Sequence, residues 1–171
     1  MKNPVVRFVI LFVAIYGSWY LLYELWLAEN TPIDTILIEW VGQSSTKLLT
    51  WLGFEASYQS MAHTVYLNSL ACVSVGAPCN GLALFALFAS FILATPVSVK
   101  PKLLFIPLGI VVIFLLNVIR ISALTLNFKY YPESVDFNHH YVFTFIVYGI
   151  TFWIWMIWVN KFMIPSLKTK S

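Results

Sequence analysis

The sequence contains little charge. Only 10% of its 171 residues are Asp, Glu, Lys or Arg, whereas a soluble domain has about 25%. Hydrophobic residues make up 60% of the chain, and the mean hydropathy is +0.83. This composition excludes a soluble globular domain. It predicts an integral membrane protein that is too short to suggest more than one domain.

Cysteines are also scarce. The two thiols, Cys72 and Cys79, are too few for a disulfide framework. The chain has no internal repeat and no basic pattern typical of nucleic-acid binding, so no nucleic-acid partner is predicted. The first apolar run has no small-residue cleavage site at its end, and we expect it to be a retained membrane span.

Four apolar runs predict an all-α membrane protein with about four transmembrane helices. They cover residues 5–27, 81–95, 103–127 and 141–161. The second run is short, because a helix that crosses a bilayer needs about 20 residues. We expect residues 1–171 to form a single membrane domain surrounded by membrane lipids.

The segment of residues 28–80 is too polar to cross a bilayer. Residues 32–54 have the spacing of an amphipathic surface helix, with a break predicted near Gly42. Residues 64–67 and 72–75 are short apolar runs separated by Asn68-Ser69. They predict two short strands or extended segments.

Basic residues are unevenly distributed between the two sides that four spans would define. The side of the N-terminus receives Lys2, Arg7, Lys100, Lys102, Lys161, Lys168 and Lys170. The opposite side receives only Lys47 and Lys129, and all seven acids lie at or beyond the span ends there. The positive-inside rule then predicts both termini in the cytoplasm and residues 28–80 outside.

Three polar features lie near this predicted outer face. Cys79 precedes the second span, where helix N-terminal amides favour a thiolate. Arg120, with Asn117 one turn earlier, lies roughly 10 Å below the outer end of the third span. A charge at such depth costs roughly 2.5–3.5 kcal/mol on insertion scales and suggests function. His139 and His140 begin the fourth span.

Each feature also has a simpler interpretation. Arg120 can extend to the lipid headgroups, and the histidines can merely hydrate a helix start. Cys79 can be inert or can form a disulfide with Cys72. No metal is predicted, because Arg120 would repel a cation, and no other cofactor is expected.

Taken together, the three features fit nucleophilic acyl transfer. A thiolate attacks a carbonyl carbon, a histidine transfers protons, and an arginine stabilises the oxyanion of the tetrahedral intermediate. The thiol, the imidazole and the guanidinium thus fill all three chemical roles.

Three short motifs occur in this order: Pro78-Cys79-Asn80-Gly81-Leu82, Asn117-Val118-Ile119-Arg120-Ile121, and a histidine that opens the last span. They resemble the signatures of the exosortase/archaeosortase family, and the chain resembles its compact, XrtF-like branch. The similarity covers roughly residues 70–150. The chain is shorter than a typical exosortase and has fewer spans.

The resemblance implies a multi-pass enzyme of the bacterial inner (cytoplasmic) membrane. Such an enzyme is a cysteine transpeptidase or peptidase whose substrates are membrane-anchored proteins with a C-terminal tripartite sorting signal. It cleaves the signal on the outer face and can transfer the new carboxyl end to a lipid- or glycan-linked acceptor.

The resemblance also implies a role for each site residue. Cys79 would be the nucleophile that forms a thioester, and Arg120 would stabilise the oxyanion or orient the thiolate. Asn117 and Asn80 would be supporting residues. One histidine of the pair would be the acid and base.

The choice between His139 and His140 depends on a departure from the family pattern, which often has glycine four residues after the histidine. Thr144 follows His140 at that spacing, and Phe143 follows His139. Because threonine is the smaller residue, His140 is preferred.

Two other functions remain open from the sequence. The chain can be a non-catalytic accessory or assembly subunit whose helix at residues 32–54 docks a partner. It can also be a thiol–disulfide exchange protein using Cys72 and Cys79, although the C-x-x-C spacing is missing.

Overall fold

The structure is a computed structural model that describes residues 4–168. It confirms the predicted all-α membrane class. Within these described residues, three helical stretches are long and apolar enough to cross a bilayer, namely Val5–Asn30, Val99–Tyr130 and Pro132–Ser166. The apolar helix Leu82–Ala94 is shorter. Its 13 residues extend about 20 Å, less than a bilayer core of about 30 Å.

The orientation across the membrane stays a prediction. Lys2 and Lys170, two of the basic residues on which it depends, lie outside the described residues.

The helices and strands follow one another along the chain. The α-helices are α1 (Pro4–Leu22), α2 (Ala28–Asn30), α3 (Ile33–Trp51), α4 (Leu82–Ala94), α5 (Val99–Tyr130), α6 (Val135–Phe137), α7 (Phe143–Trp158) and α8 (Ile164–Lys168). The strands are β1 (Ala56–Gln59), β2 (Thr64–Leu67) and β3 (Leu70–Ser74). Three π-helical turns occupy Tyr23–Leu27, Asn138–Val142 and Val159–Met163, and 3₁₀ turns occupy Ser60–Ala62, Ala77–Cys79 and Pro132–Ser134.

The chain forms two compact units. The helical unit comprises the residues up to Thr31, Ala83–Val112 and the residues from Gly149 onward. The sheet-bearing unit comprises Pro32–Leu82 and Ile113–Tyr148.

Aromatic packing holds the helical unit together. The Phe91 ring stacks on Trp155 with centroids 4.5 Å apart, and its edge meets Phe8 at 5.3 Å. Gly109 lies directly against the Phe88 ring, where a Cβ atom would clash. Ring stacking of this kind stabilises helix packing beyond the area that it buries.

A buried lysine completes the end of α4. Lys102 is 8% exposed, and its Nζ donates to the carbonyls of Leu93 (2.8 Å) and Thr95 (2.7 Å). The last carbonyls of a helix have no partner within the helix. Lys102 therefore supplies the hydrogen bonds that let α4 end among apolar side chains.

A three-stranded antiparallel sheet in the order β1-β2-β3 lies in the sheet-bearing unit. The strand predicted at residues 64–67 is β2, and the predicted run at 72–75 overlaps β3. Asn68 and Ser69 both have positive φ and form the two-residue turn between these strands. The sequence did not predict β1, a short and mostly polar strand.

Helix α3 is continuous from Ile33 to Trp51, so the predicted break near Gly42 is wrong. Gly42 is buried against the ring of Tyr58, which would clash with a Cβ atom. The glycine thus allows β1 to pack closely on an unbroken helix.

Small polar residues join α3 to α5 within the sheet-bearing unit. Ser45 Oγ donates to the Val118 carbonyl (3.2 Å), and Ser122 Oγ donates to the Ser45 carbonyl (3.3 Å). Small side chains allow helix backbones to approach closely. Both helices also contribute to an apolar core, which consists of Ile38, Val41, Leu49, Val65, Leu67, Val75, Ile121 and Leu124.

Candidate active site

The thiol of Cys79 is carried by a single 3₁₀ turn, Ala77–Cys79. The amide of Cys79 donates to the Gly76 carbonyl (2.9 Å), and the next amide donates to the Ala77 carbonyl (3.3 Å). Gly81 follows with φ of +86°, a conformation that favours glycine. Cys79 is half-buried at the margin of the apolar core. The local backbone thus fixes the thiol while leaving it partly accessible.

The imidazole of His139 lies next to this thiol. Cys79 Sγ and His139 Nε2 are 3.6 Å apart, although 60 residues separate them in sequence. His139 is half-buried and lies in the π-helical turn Asn138–Val142. Such turns are rare and often occur at functional sites. The contact can move a proton between sulfur and nitrogen.

Arg120 reaches the same residue from α5. Its Nη2 donates to the main-chain carbonyl of His139 at 3.5 Å, and the Thr144 hydroxyl donates to that carbonyl at 3.2 Å. The carbonyl thereby ties the guanidinium to the turn that carries the imidazole. The structure brings Cys79, His139 and Arg120 together within the sheet-bearing unit.

Two buried N–H donors on α5 have no hydrogen-bond partner among the described residues, Arg120 Nε and Asn117 Nδ2. Asn117 is 3% exposed and lies one helical turn before Arg120. Such donors are rare in folded proteins and call for an explanation. A ligand that supplies an acceptor atom to each donor would satisfy them.

The second histidine has a different environment. His140 Nδ1 lies 3.0 Å from the Asp136 carbonyl and 3.1 Å from its carboxylate, and its side chain is 60% exposed. Its ring meets the His139 ring edge-on at 4.8 Å. The structure therefore places His140 beside His139 and against Asp136, and places His139 against the thiol.

Asn80, for which the family resemblance implies a supporting role, is almost fully buried at 1% exposure. Its Nδ2 donates to the carboxylate of Asp34 on α3. Its Oδ1 accepts from the Leu82 amide at 2.8 Å. Asn80 thus connects the turn of Cys79 to the start of α3.

Cys72 and Cys79 are both free thiols in the structure. Cys72 lies in β3 opposite a register shift of β2, and its Sγ donates to the Leu70 carbonyl at 3.3 Å. Burial raises the pKa of the Cys72 thiol. This cysteine therefore needs a higher pH than an ordinary thiol to form a thiolate.

Within residues 4–168, no group of three or more His, Cys, Asp and Glu side chains is placed to hold a metal ion.

The sequence did not predict the contact of Asp34 with Asn80, the bond of the Thr144 hydroxyl to the His139 carbonyl, or the π-helical turn at Asn138–Val142. Asp34 occurred only as one of the acids near the predicted outer face. An acidic residue in the first turn of an amphipathic helix was its one local signal, and that pattern also describes an ordinary helix start.

The comparison with protein families agrees with the motifs. A family model described as transmembrane exosortase matches residues 4–159. No curated protein and no solved structure matches the chain. The matched range includes Cys79, Arg120 and His139 and covers most of the chain. The chain therefore belongs to the transmembrane exosortase family.

Proposed function

We propose that this exosortase is a membrane cysteine transpeptidase that cleaves C-terminal sorting signals on the outer face of the bacterial inner membrane. Family membership supports the broader function, a multi-pass membrane protein that takes part in processing sorting signals. One observation carries the proposed chemistry, the 3.6 Å contact between Cys79 Sγ and His139 Nε2. A thiol beside an imidazole is the arrangement of an activated nucleophile.

The first half-reaction forms a thioester. The thiol proton of Cys79 passes to His139 Nε2, and the sulfur attacks the carbonyl carbon of the scissile peptide bond. His139 then gives the proton to the leaving amine nitrogen, and the C–N bond breaks. The signal segment departs with a free amine, and the exported protein remains bound to Cys79 through its new carboxyl end.

The tetrahedral intermediate of this step carries a negative oxygen. Arg120 Nε and Asn117 Nδ2 are the buried N–H groups without partners, and both come from the same stretch of α5. Donors that are already desolvated and fixed stabilise an oxyanion without reorganisation. We assign the oxyanion to these two groups.

The second half-reaction releases the product. An acceptor amine or hydroxyl loses its proton to His139 and attacks the thioester carbonyl, and the C–S bond breaks. The Cys79 thiolate then recovers the proton from His139. A lipid- or glycan-linked acceptor gives transfer, and water gives hydrolysis by the same proton movements.

We propose His139 as the acid and base in place of the preferred His140. The imidazole of His139 contacts the thiol, whereas His140 contacts Asp136. Adjacent residues of a helical turn project in different directions, so only one of the two can face Cys79.

Mass spectrometry of the full chain with a peptide that carries a candidate sorting signal tests this proposal. The expected product is a thioester adduct on the peptide fragment that contains Cys79, absent from Cys79→Ala and retained in Cys72→Ser. An adduct confined to Cys72, or cleavage without any adduct on Cys79, would contradict the proposed nucleophile.

A second candidate, a non-catalytic assembly subunit, is favoured by one surface feature. Trp40 and Trp51 of α3 are 59% and 81% exposed, and large exposed aromatic side chains often mark binding surfaces. In that case Trp40→Ala and Trp51→Ala would disrupt a complex while Cys79→Ala would be silent.

A further inference from the structure

A carboxylate outside the motifs reaches the loop that carries the proposed nucleophile. Asp34 lies in the first turn of α3 and accepts a hydrogen bond from Asn80 Nδ2. Asn80 directly follows Cys79 and is 1% exposed. A buried amide needs partners for both its donor and its acceptor. Asp34 satisfies the donor, and the Leu82 amide satisfies the acceptor.

This arrangement fixes the rotation of the Asn80 amide. With Nδ2 held by Asp34, Oδ1 faces the Leu82 amide and closes a turn over Gly81. The backbone of this turn is continuous with the 3₁₀ turn that ends at Cys79. A hydrogen bond to an ionised carboxylate is roughly twice as strong as one between neutral groups. Asp34 is therefore a firm anchor for the loop.

Resting on the proposed function, we infer that Asp34 is a positioning residue for the Cys79 nucleophile. Through Asn80 it holds the turn that keeps Cys79 Sγ 3.6 Å from His139 Nε2. Asp34 acts through the loop, because its carboxylate bonds to the Asn80 amide whereas Cys79 Sγ contacts His139.

The negative charge of Asp34 also acts directly on the reactivity of Cys79. This direct effect is opposite in direction to the effect of positioning. A nearby negative charge disfavours a thiolate. If Asp34 acted only through its field, neutralising it would make Cys79 react at lower pH. Loss of position separates the thiol from His139 and makes Cys79 react at higher pH. The direction of the change distinguishes the two roles.

The experiment measures the rate at which iodoacetamide alkylates Cys79 as a function of pH, on the detergent-solubilised full chain carrying Cys72→Ser. Asp34→Asn removes the charge but keeps an oxygen that can accept from Asn80. Asp34→Ala removes both. Glu39→Gln is the matched control, because Glu39 lies on the same helix and its carboxylate bonds to Gln43 and Ser60.

The other charged and titratable groups near the thiol are the same in every variant. They are His139, with His140 and Asp136 beside it, and Arg120 on α5. A shift between variants therefore reports on Asp34 alone.

For Asp34→Ala, we expect the alkylation curve to move to higher pH and the rate at neutral pH to fall about tenfold or more, because displacing a catalytic group by about 1 Å can cost about 10²-fold. At neutral pH, Asp34→Asn should react no more slowly than the wild type, with a curve that is unchanged or moved to lower pH. Glu39→Gln should match the wild type. An Asp34→Ala curve that coincides with that of Asp34→Asn, or moves to lower pH, overturns the inference.

A second variant covers the case in which Asp34→Ala does not fold. Asn80→Ser keeps a side-chain oxygen near the Leu82 amide, but its side chain is too short to reach Asp34. Its curve should also move to higher pH, and an unshifted curve in folded protein, checked by thermal unfolding, overturns the inference.

The alkylation assay uses no sorting-signal substrate. Unshifted curves would overturn the role of Asp34. A peptide adduct on Cys79 would still support the proposed nucleophile. Shifted curves without any peptide adduct would overturn the proposed function and leave the anchoring role.

Discussion

Lys102 in the helical unit and Arg120 in the sheet-bearing unit are both cations of helix α5, and their hydrogen bonding differs. In the helical unit, Lys102 donates to two carbonyls at 2.8 and 2.7 Å. In the sheet-bearing unit, Arg120 makes one long contact of 3.5 Å and keeps a buried Nε without a partner among the described residues. A satisfied buried cation has a structural role, whereas an unsatisfied one is available to a ligand. The comparison predicts that changes near Lys102 lower stability and changes near Arg120 lower activity.

The largest effect on activity should come from the histidine that contacts the thiol. His139→Ala should lower the rate of signal processing about 10²- to 10⁴-fold, the contribution typical of a general acid–base residue. His140→Ala is the matched control and should keep most of the activity. The rates are measured on a membrane-anchored substrate with a tripartite signal. Equal losses in both variants would show that the contact with Cys79 does not select between the histidines.

Arg120 and Lys102 test the comparison directly. Arg120→Ala should lower the processing rate about 10²- to 10³-fold with little change in thermal stability, as expected for loss of an oxyanion donor. Lys102→Met should destabilise the folded chain by about 1–3 kcal/mol for each acceptor left without a partner. It should leave the rate per folded molecule unchanged. The comparison fails if Lys102→Met is as inactive as Arg120→Ala while remaining folded.

Substitution of Asn117 should lower activity less than substitution of Arg120 does, and it should raise stability. Asn117→Leu should lower the processing rate roughly tenfold, because a neutral hydrogen bond contributes less than a charged one. It should also raise the melting temperature in detergent, since it removes a buried donor without a partner. A variant that is both less active and less stable would indicate that Asn117 is a structural residue.

The smallest effect concerns Cys72, the thiol outside the candidate active site. Because burial raises the pKa of the Cys72 thiol, the thiolate is scarce at neutral pH and becomes abundant only as pH rises past that raised value. In Cys79→Ala, alkylation of Cys72 should therefore need a higher pH than an unfolded thiol needs. A Cys72 that reacts like the urea-unfolded protein at neutral pH would contradict the burial of this side chain.

The sequence predicted those features whose signal is local. Long apolar runs predict membrane helices, and Arg120 within such a run needs a reason of its own. Pro78 and Gly81 mark the turn before α4, which predicts a thiol at the start of a helix. The membrane class and the family therefore follow from the sequence.

Features that depend on distant contacts could not be predicted. The bond from Asn80 to Asp34 joins residues 46 positions apart. Which histidine contacts Cys79 depends on a π-helical turn, which changes the direction of each side chain. Gly42 gave a misleading local signal. A glycine is needed there because the Tyr58 ring packs against it, and the helix does not break. Residues 56–59 of β1 do alternate in burial, but four residues are too short a signal to predict a strand, and the strand is held by pairing with β2.

The central claim is that the site formed by Cys79, His139 and Arg120 acts through the sulfur of Cys79. The most direct measurement is the processing of a sorting-signal protein in cells that carry Cys79→Ser or Cys72→Ser in place of the wild-type chain. The account predicts no processing with Cys79→Ser at normal levels of folded protein, and wild-type processing with Cys72→Ser. Processing at the wild-type rate by folded Cys79→Ser would contradict it.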